Sequence, residues 1–474
     1  MKNKNFFLAA IALLFSTGII NAQENANSRP WSNGKLQVSE NRRYLQHENG
    51  TPFFWLGETA WLLPSRLNRD EVGYYVGETA KNGYNVIQMS VLHSLGAMNA
   101  YGHQALPNGF DFSGIDRDGE YNYWKHVDYI VQQAASRGIY IGIVCVWGGN
   151  ARSMSEDDAR KYGEFLGKRY GKQPNIIWII GGDIRGDATP EIFKTLAATI
   201  RTNAPDHLMT FHPFGRTMSA TWFNNESWLN FNMFQSGHRR YGQRRGDGEY
   251  TIDDYTEEDS WRFVARSHAF QPIKPVLDGE PSYEHIPQGL HEAWETRWQA
   301  SDVRRYAYWS VFAGACGHTY GHSSTMQMYR PGVGPAYGAE TPWWDAVHDP
   351  GCQSMKHLKN LMLAFPYFER IPDQSVIAGT NGTLYERVIA TRGNDYILVY
   401  NYTNRRMEID MTKISGTKKK AWWYSPANGT AEYIGDYENG KHTFNRDSAY
   451  GAGNDWVLII TDAQVNYVEN KLIP

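Results

Sequence analysis

Cysteine, net charge and long apolar runs are all scarce in this 474-residue sequence. The three cysteines, Cys145, Cys316 and Cys352, are scattered and show no metal-ligand spacing, which argues against a disulfide framework or a zinc cluster. Cys145 in IYIGIVCVW and Cys316 in VFAGAC sit in apolar surroundings and read as buried thiols. Lys plus Arg number 47 against 50 Asp plus Glu, a formal charge of -3, so there is no electrostatic reason to expect nucleic acid or an anionic membrane as partner. Past residue 22 no segment reaches the roughly 18 to 20 apolar residues that a membrane span requires.

The apolar run at the start has a different meaning. Lys2 and Lys4 form a basic lead, residues 6–20 an apolar centre, and Ile20-Asn21-Ala22 a cleavage site before Gln23. Residues 1–22 therefore read as a secretory signal peptide, and the product is expected to be exported, periplasmic or extracellular. No cysteine follows the cleavage site, so no lipid anchor is suggested.

Aromatic residues are abundant, at 14% of the chain, with 17 Trp and 30 Tyr. Aromatic faces stack on the C–H faces of sugar rings as readily as they fill cores, so the excess is compatible with a carbohydrate partner, with about two thirds of it expected in the core.

Strand-like and helical periods alternate through the first 371 residues. PFFWLGETAW (52–61) reads as a buried strand, Asn68 caps a helix closed by Gly83, and NVIQMSVL (85–92) is the next strand. A long loop (93–122), a helix, a strand (139–149), a helix capped by Ser155, and NIIWIIGGD follow. Further strands are read at 208–213, 230–238, PVLDGEP and CGHTYGH, with a less regular WFNNESW connection after the fifth. Eight strands with helices between them predict a (β/α)8 barrel over residues 23–371. From 372 to 474 short alternating runs separated by Asn-Gly and Lys-rich turns predict an antiparallel β-sandwich.

Barrel enzymes carry their reactive groups at the C-terminal strand ends. Those ends supply Glu58, His93, Trp147, Asp183, His212, Gln235, Glu280, Tyr320 and His322, a set of acids, amides, histidines and aromatics suited to a sugar pocket. Two opposed carboxylates can split a glycosidic bond, one donating a proton to the leaving oxygen and the other attacking the anomeric carbon or activating water. Asp183 on strand four and Glu280 on strand seven are the expected pair, with Asp187 and Glu284 as neighbouring rivals. A separation of ~5 to 5.5 Å predicts retention and ~6.5 to 9.5 Å inversion. The remaining strand-end residues are candidate substrate contacts, each of which has a packing role as its alternative. The first strand offers GETAW where metal-dependent barrels have His-x-His, so neither a metal nor another cofactor is expected. Arg185, Arg239, Arg240, Arg244 and Arg245, near the barrel mouth, are candidates to pair with anionic groups of a substrate, with a solvated loop as the alternative.

PFFWLGETAW, NVIQMSV, IIWIIGGDIRG and LDGEPSYE together resemble the glycoside hydrolase family 140 barrel, known for apiosidases acting on rhamnogalacturonan II. The likeness covers most of residues 30–370. The terminal sandwich resembles the collagen-binding-type module that commonly follows this barrel. The resemblance implies a retaining mechanism with Asp183 as acid/base and Glu280 as nucleophile. Strand four departs from the wider clan, ending in Gly-Asp where Asn-Glu is usual. The alternative classes are a non-catalytic carbohydrate- or matrix-binding protein and a barrel glycosidase for another glycan.

Overall fold

The computed structural model describes residues 29–117, 119–243 and 257–473. The expected signal peptide, Arg244 and Arg245 lie outside them. Eight strands form the barrel sheet of the first domain: β1 (Trp55–Thr59), β2 (Val86–Ser90), β3 (Tyr140–Val144), β4 (Ile176–Ile184), β5 (Met209–Pro213), β6 (Asn232–Phe234), β7 (Val276–Asp278) and β8 (Gly317–Tyr320). All pair in parallel, in the order β6-β7-β8-β1-β2-β3-β4-β5. The last strand thus lies beside the first, and the seam between β5 and β6 is nearly closed. There the Asn230 N–H donates to the Met209 carbonyl at 2.9 Å and the Thr210 hydroxyl to the Phe231 carbonyl at 2.7 Å.

Helices α1 (Arg69–Lys81), α2 (Tyr123–Ala135), α3 (Glu156–Tyr170), α4 (Pro190–Asn203), α5 (Asp259–Ser267), α6 (Ala300–Phe312) and α7 (Pro350–Ala364) form the outer layer. Only a short turn, Ala220–Phe223, joins β5 to β6, matching the irregular connection expected there. Local chemistry starts these helices where the sequence suggests. Asn68 accepts the Glu71 N–H at 3.0 Å while Glu71 accepts the Asn68 N–H at 2.9 Å, a reciprocal cap that Ser155 and Asp158 repeat at α3.

Barrel strands are covered on both faces, which is why they read as continuous apolar runs. Side chains alternate between lumen and helix layer. Trp55 and Thr319 meet inside, the indole N–H donating to the hydroxyl at 3.0 Å, and the Gln88 amide donates to the Gly279 carbonyl at 3.0 Å. Glu58 and Tyr320, side by side across β1 and β8, belong to the opposite phase and face the helices. All three cysteines are buried free thiols.

The second domain contains a six-stranded antiparallel sheet of β9 (Ile371–Pro372), β10 (Val388–Arg392), β11 (Tyr396–Asn401), β13 (Lys418–Tyr424), β14 (Ala431–Glu438) and β16 (Trp456–Asp462), in the order β9-β10-β11-β16-β13-β14. A two-stranded ribbon of β12 (Met407–Asp410) and β15 (Lys441–Phe444) packs with it. Alternation divides the sheet. Ile397, Val399, Leu458 and Ile460 build the sandwich's own core, while Tyr396, Leu398, Tyr400, Val457 and Ile459 join the core of the barrel. Along α6, Arg304 makes a two-pronged pair with Asp455 at 2.8 and 2.7 Å, and Tyr308 stacks on Tyr400 with centroids 4.7 Å apart.

Candidate active site

The end of β4 has an unusual backbone. Gly181, Gly182 and Asp183 all have positive φ, at 82°, 123° and 50°, and the pairing with β5 shifts register between Gly181 and Ile184. A Cβ on Gly181 would sit 2.6 Å from the His212 carbonyl oxygen, and one on Gly182 would press on Trp147 at 3.0 Å. Glycine is required here by both conformation and space. Asp183 itself sits in the left-handed region, a strained state of the kind that clusters at functional sites.

His212, at the end of β5, lies between the two candidate carboxylates. Its Nδ1 accepts the Asp183 backbone N–H at 3.2 Å, so in the neutral ring the proton is on Nε2, which lies 3.2 Å from Glu280 Oε2 in a bent contact. The other Glu280 oxygen accepts from His238 Nε2 at 3.1 Å. Burial opposes ionisation of Glu280, but the hydrogen bonds and charges of His212 and His238 prevail and pull its carboxyl down to about 2. Asp183 moves the other way. Burial first, and the Glu280 charge second, push it up to about 7, against the counter-influence of His212, the Gly215 N–H and the Gln235 amide. One carboxyl group that holds its proton near neutrality and one that stays ionised thus share a single pocket.

Aromatic rings line the same rim. Trp61 packs against Trp147 at 5.1 Å and edge-on to His212 at 5.3 Å, and His93 lies 4.8 Å from Trp147. Burial pushes the His93 imidazole down to about 4, so the ring is neutral at ordinary pH. A cleft of about 670 Å³ lined by Leu62, Arg66, His93, Met98 and Arg330 opens beside this row. Gln235, buried on the loop after β6, keeps its Oε1 without a partner among the described residues.

Asp183, Glu280, His212, Gln235, Trp147 and His93 are therefore brought together. Glu58, Tyr320 and His322 are not. Glu58 accepts from Tyr75 of α1 in the helix layer, where burial raises its carboxyl to about 7. Tyr320 donates to Glu284 at 2.5 Å, and Glu284 also accepts the Gly351 N–H at 3.0 Å. That engagement removes Glu284 as a rival to Glu280. Asp187, the other rival, is an exposed partner of Arg185 at 2.7 Å, a hydrogen bond that lowers its pKa. His322, His285 and Asp349 place three potential metal-binding atoms within 4.8 Å of one another. However, His322 Nδ1 accepts the Ser324 N–H at 3.0 Å, which leaves the proton on Nε2, 2.8 Å from Asp349. Both His322 nitrogens are thereby engaged, and that ring has no free lone pair to offer a cation.

Sequence reading missed His238, Tyr283 and Tyr337. His238 is the last residue of the strand read at 230–238, whose candidate residue is Gln235. Tyr283 is fully buried with its ring edge-on to His238 at 4.6 Å. Tyr337, 39% exposed in the long segment after β8, feels the charges of Glu280 first and Asp183 second, after burial, in its raised pKa. It is held at φ 51° because the Gln327 amide both donates to the Ala336 carbonyl at 2.9 Å and accepts its N–H at 2.8 Å, while Arg297 grips the Gly338 carbonyl at 2.9 Å. Nothing local in GPAYG marks that placement.

A protonated carboxyl beside an ionised one, at the C-terminal rim of a (β/α)8 barrel and walled by tryptophans, is the equipment of a glycoside hydrolase. The comparisons agree: the chain is such an enzyme, and it belongs to the family described as apiosidase-like, catalytic domain, which matches residues 39–369. Residues 371–461 match the family described as "putative collagen-binding domain of a collagenase". Among solved structures, one described as a glycoside hydrolase is 61% identical, covering 93% of this chain and 99% of its own, with a TM-score of 0.91. Another, a glycoside hydrolase family 5 protein from Bacteroides vulgatus, is 60% identical over 94% of this chain and 98% of its own, with a TM-score of 0.92. A third structure, described as "a putative glycoside hydrolase from Bacteroides vulgatus", at 16% identity and a TM-score of 0.63, shares the fold. No curated protein matches the chain.

Proposed function

We propose that this is an exported family 140 apiosidase that releases an apiosyl residue from pectic rhamnogalacturonan II side chains with retention of configuration. The observation that carries the mechanism is the split between Asp183, raised to about 7, and Glu280, lowered to about 2, across a shared histidine. Asp183 donates its proton to the leaving oxygen as Glu280 attacks the anomeric carbon. The Asp183 carboxylate then takes a proton from water, and that water releases the sugar from Glu280. The glycine bulge that turns Asp183 into the pocket compensates for a side chain one methylene shorter than the usual glutamate.

The apiosidase-like family match supports the sugar, and the arginines support an anionic polymer. Arg239 and Arg240 are committed to the loop after β7, Arg239 to the Gly289 carbonyl and Arg240 to Glu292 and Glu295. Arg66, in the cleft beside His93, is better placed for a neighbouring uronate, whereas Arg330 in the same cleft is paired with Glu71 at 3.0 Å. Trp294, 80% exposed on the loop after β7, is a platform for more distant sugars. The test is sugar release by the mature protein on apiose-bearing rhamnogalacturonan II fragments, with the first-formed anomer read by NMR. Apiose released by the native enzyme and not by Glu280→Gln is expected. A folded enzyme that leaves these fragments intact rejects the substrate, and a first product of inverted configuration rejects the covalent step.

A further inference from the structure

The sandwich domain reaches the catalytic rim through one tyrosine. Tyr385, in the segment between β9 and β10, donates from its hydroxyl to Glu257 Oε1 at 3.0 Å. Glu257 is 1% exposed and belongs to the barrel chain just before α5. Its other oxygen takes the Arg305 guanidinium of α6 at 2.5 Å, and its Oε1 also accepts the backbone N–H of Tyr241 at 3.1 Å. The Tyr241 ring meets the Tyr385 ring edge-on at 5.2 Å, and the Arg305 guanidinium lies over Tyr385 at 4.9 Å. A residue of one domain, through a buried carboxylate of the other, therefore anchors Tyr241.

Tyr241 lies three residues beyond His238, and the segment around them is tied to the chain that follows β7. The Gly237 N–H donates to the carbonyl of Glu280 at 3.0 Å, the Gly289 N–H to the carbonyl of His238 at 3.1 Å, and Arg239 to the carbonyl of Gly289 at 3.2 Å. His238 Nε2 completes the path on Glu280 itself. The links at either end are hydrogen bonds and a ring contact, and the half-buried backbone of residues 239–240 joins them.

We propose that Tyr385 is a positioning residue for the glycosidase reaction, and that the sandwich serves the barrel by holding the 237–243 segment so that His238 donates to Glu280. This rests on the reading of Glu280 as nucleophile. Loss of the anchor lets Tyr241 and the segment behind it relax, His238 withdraws, and Glu280 loses one of the two donors that keep it ionised and aimed. The neighbouring Tyr402 provides a contrast. It also lies over Arg305, at 5.0 Å, but its hydroxyl goes to Asp302 at 2.7 Å and not to Glu257.

The experiment compares full-length Tyr385→Ala, Tyr385→Phe and Tyr402→Phe with the native enzyme, reading kcat and KM and the downfield Nε2–H resonance of His238, assigned by its loss in His238→Gln. For Tyr385→Ala we expect a loss of about tenfold in kcat/KM, carried by kcat, with the His238 resonance shifted or broadened. Tyr385→Phe, which keeps the ring on Arg305 and Tyr241, should recover part of both, and Tyr402→Phe should match the native enzyme in both. If Tyr385→Phe and Tyr385→Ala leave the resonance and kcat unmoved while lowering Tm, the sandwich is a brace only and the proposal fails. It fails equally if Tyr402→Phe disturbs His238 as much as Tyr385→Ala does. Should Glu280→Gln retain turnover while the His238 resonance still answers to Tyr385, the physical linkage holds and the nucleophile assignment is what falls.

Discussion

At the scale of single residues, the site depends on one histidine ring holding two carboxyl groups in different states. His212 takes a backbone proton from the Asp183 side and presents its own to Glu280. The rate should therefore rise as Glu280 ionises near pH 2 and fall as Asp183 loses its proton near pH 7, a bell measurable in kcat/KM. The same numbers bear on stability. Asp183 is raised in the folded state from an ordinary 3.8 to about 7, so the unfolded chain releases its proton first and stability falls as pH climbs through that window. Asp183→Asn removes a burden on the order of 1–3 kcal/mol at pH 8 and none at pH 3, discounting for partial exposure. Its Tm should exceed the native value by a few degrees at pH 8 and equal it at pH 3, while turnover is lost. Equal Tm differences at both pH values would show that Asp183 does not hold its proton as described.

Among the elements, β4 carries the most information per residue. Three successive positive φ values end the strand, and Gly181 has no room for a methyl group against the His212 carbonyl. Gly181→Ala must strain the backbone and displace β5, at a cost of roughly 2–4 kcal/mol, and it should carry Asp183 away from His212. Urea denaturation together with kcat would check this, and a variant with native stability and native kcat would contradict it. The glycines were legible as a strand ending at a carboxylate, but the reason for them was not, because the atom they must avoid belongs to β5. Phase explains another part of the reading. Glu58 and Tyr320 were chosen as strand-end residues, yet side chains alternate across a strand, and theirs fall on the helix side beside Tyr75 and Glu284. Thr59, one position further along β1, is the residue whose phase matches the lumen.

For the molecule as a whole, the two domains share one packed interface. The sheet that faces the barrel contributes Tyr396, Leu398, Tyr400, Val457 and Ile459 to the barrel's core, with Arg304 and Asp455 paired inside the contact at 8% and 3% side-chain exposure. Tyr400 adds a third group to the cluster, donating to Asp455 at 3.2 Å. Asp455→Ala leaves the Arg304 charge buried without its partner, which costs about 3–5 kcal/mol. Calorimetry should show a lower Tm for the whole protein as one transition. A separate early transition for the sandwich, with the barrel unchanged, would mean that the domains fold independently of this contact. None of the described helices is long and apolar enough to cross a membrane.

The strand and helix order, the caps at Asn68 and Ser155, the change of period near residue 372 and the two carboxylates at the ends of β4 and after β7 were all determined by the sequence alone. Each depends on neighbours within a few positions, through backbone propensity, side-chain period or a local hydrogen bond. The tertiary structure decided which rim residues converge, and it alone revealed His238, Tyr283, Tyr337 and the path from Tyr385. It also decided how two acids of ordinary intrinsic strength are driven to opposite states. Desolvation and charge act through space, and the partners that set them, Asp183 with His212 and His238 with Glu280, stand 29 and 42 residues apart in the chain.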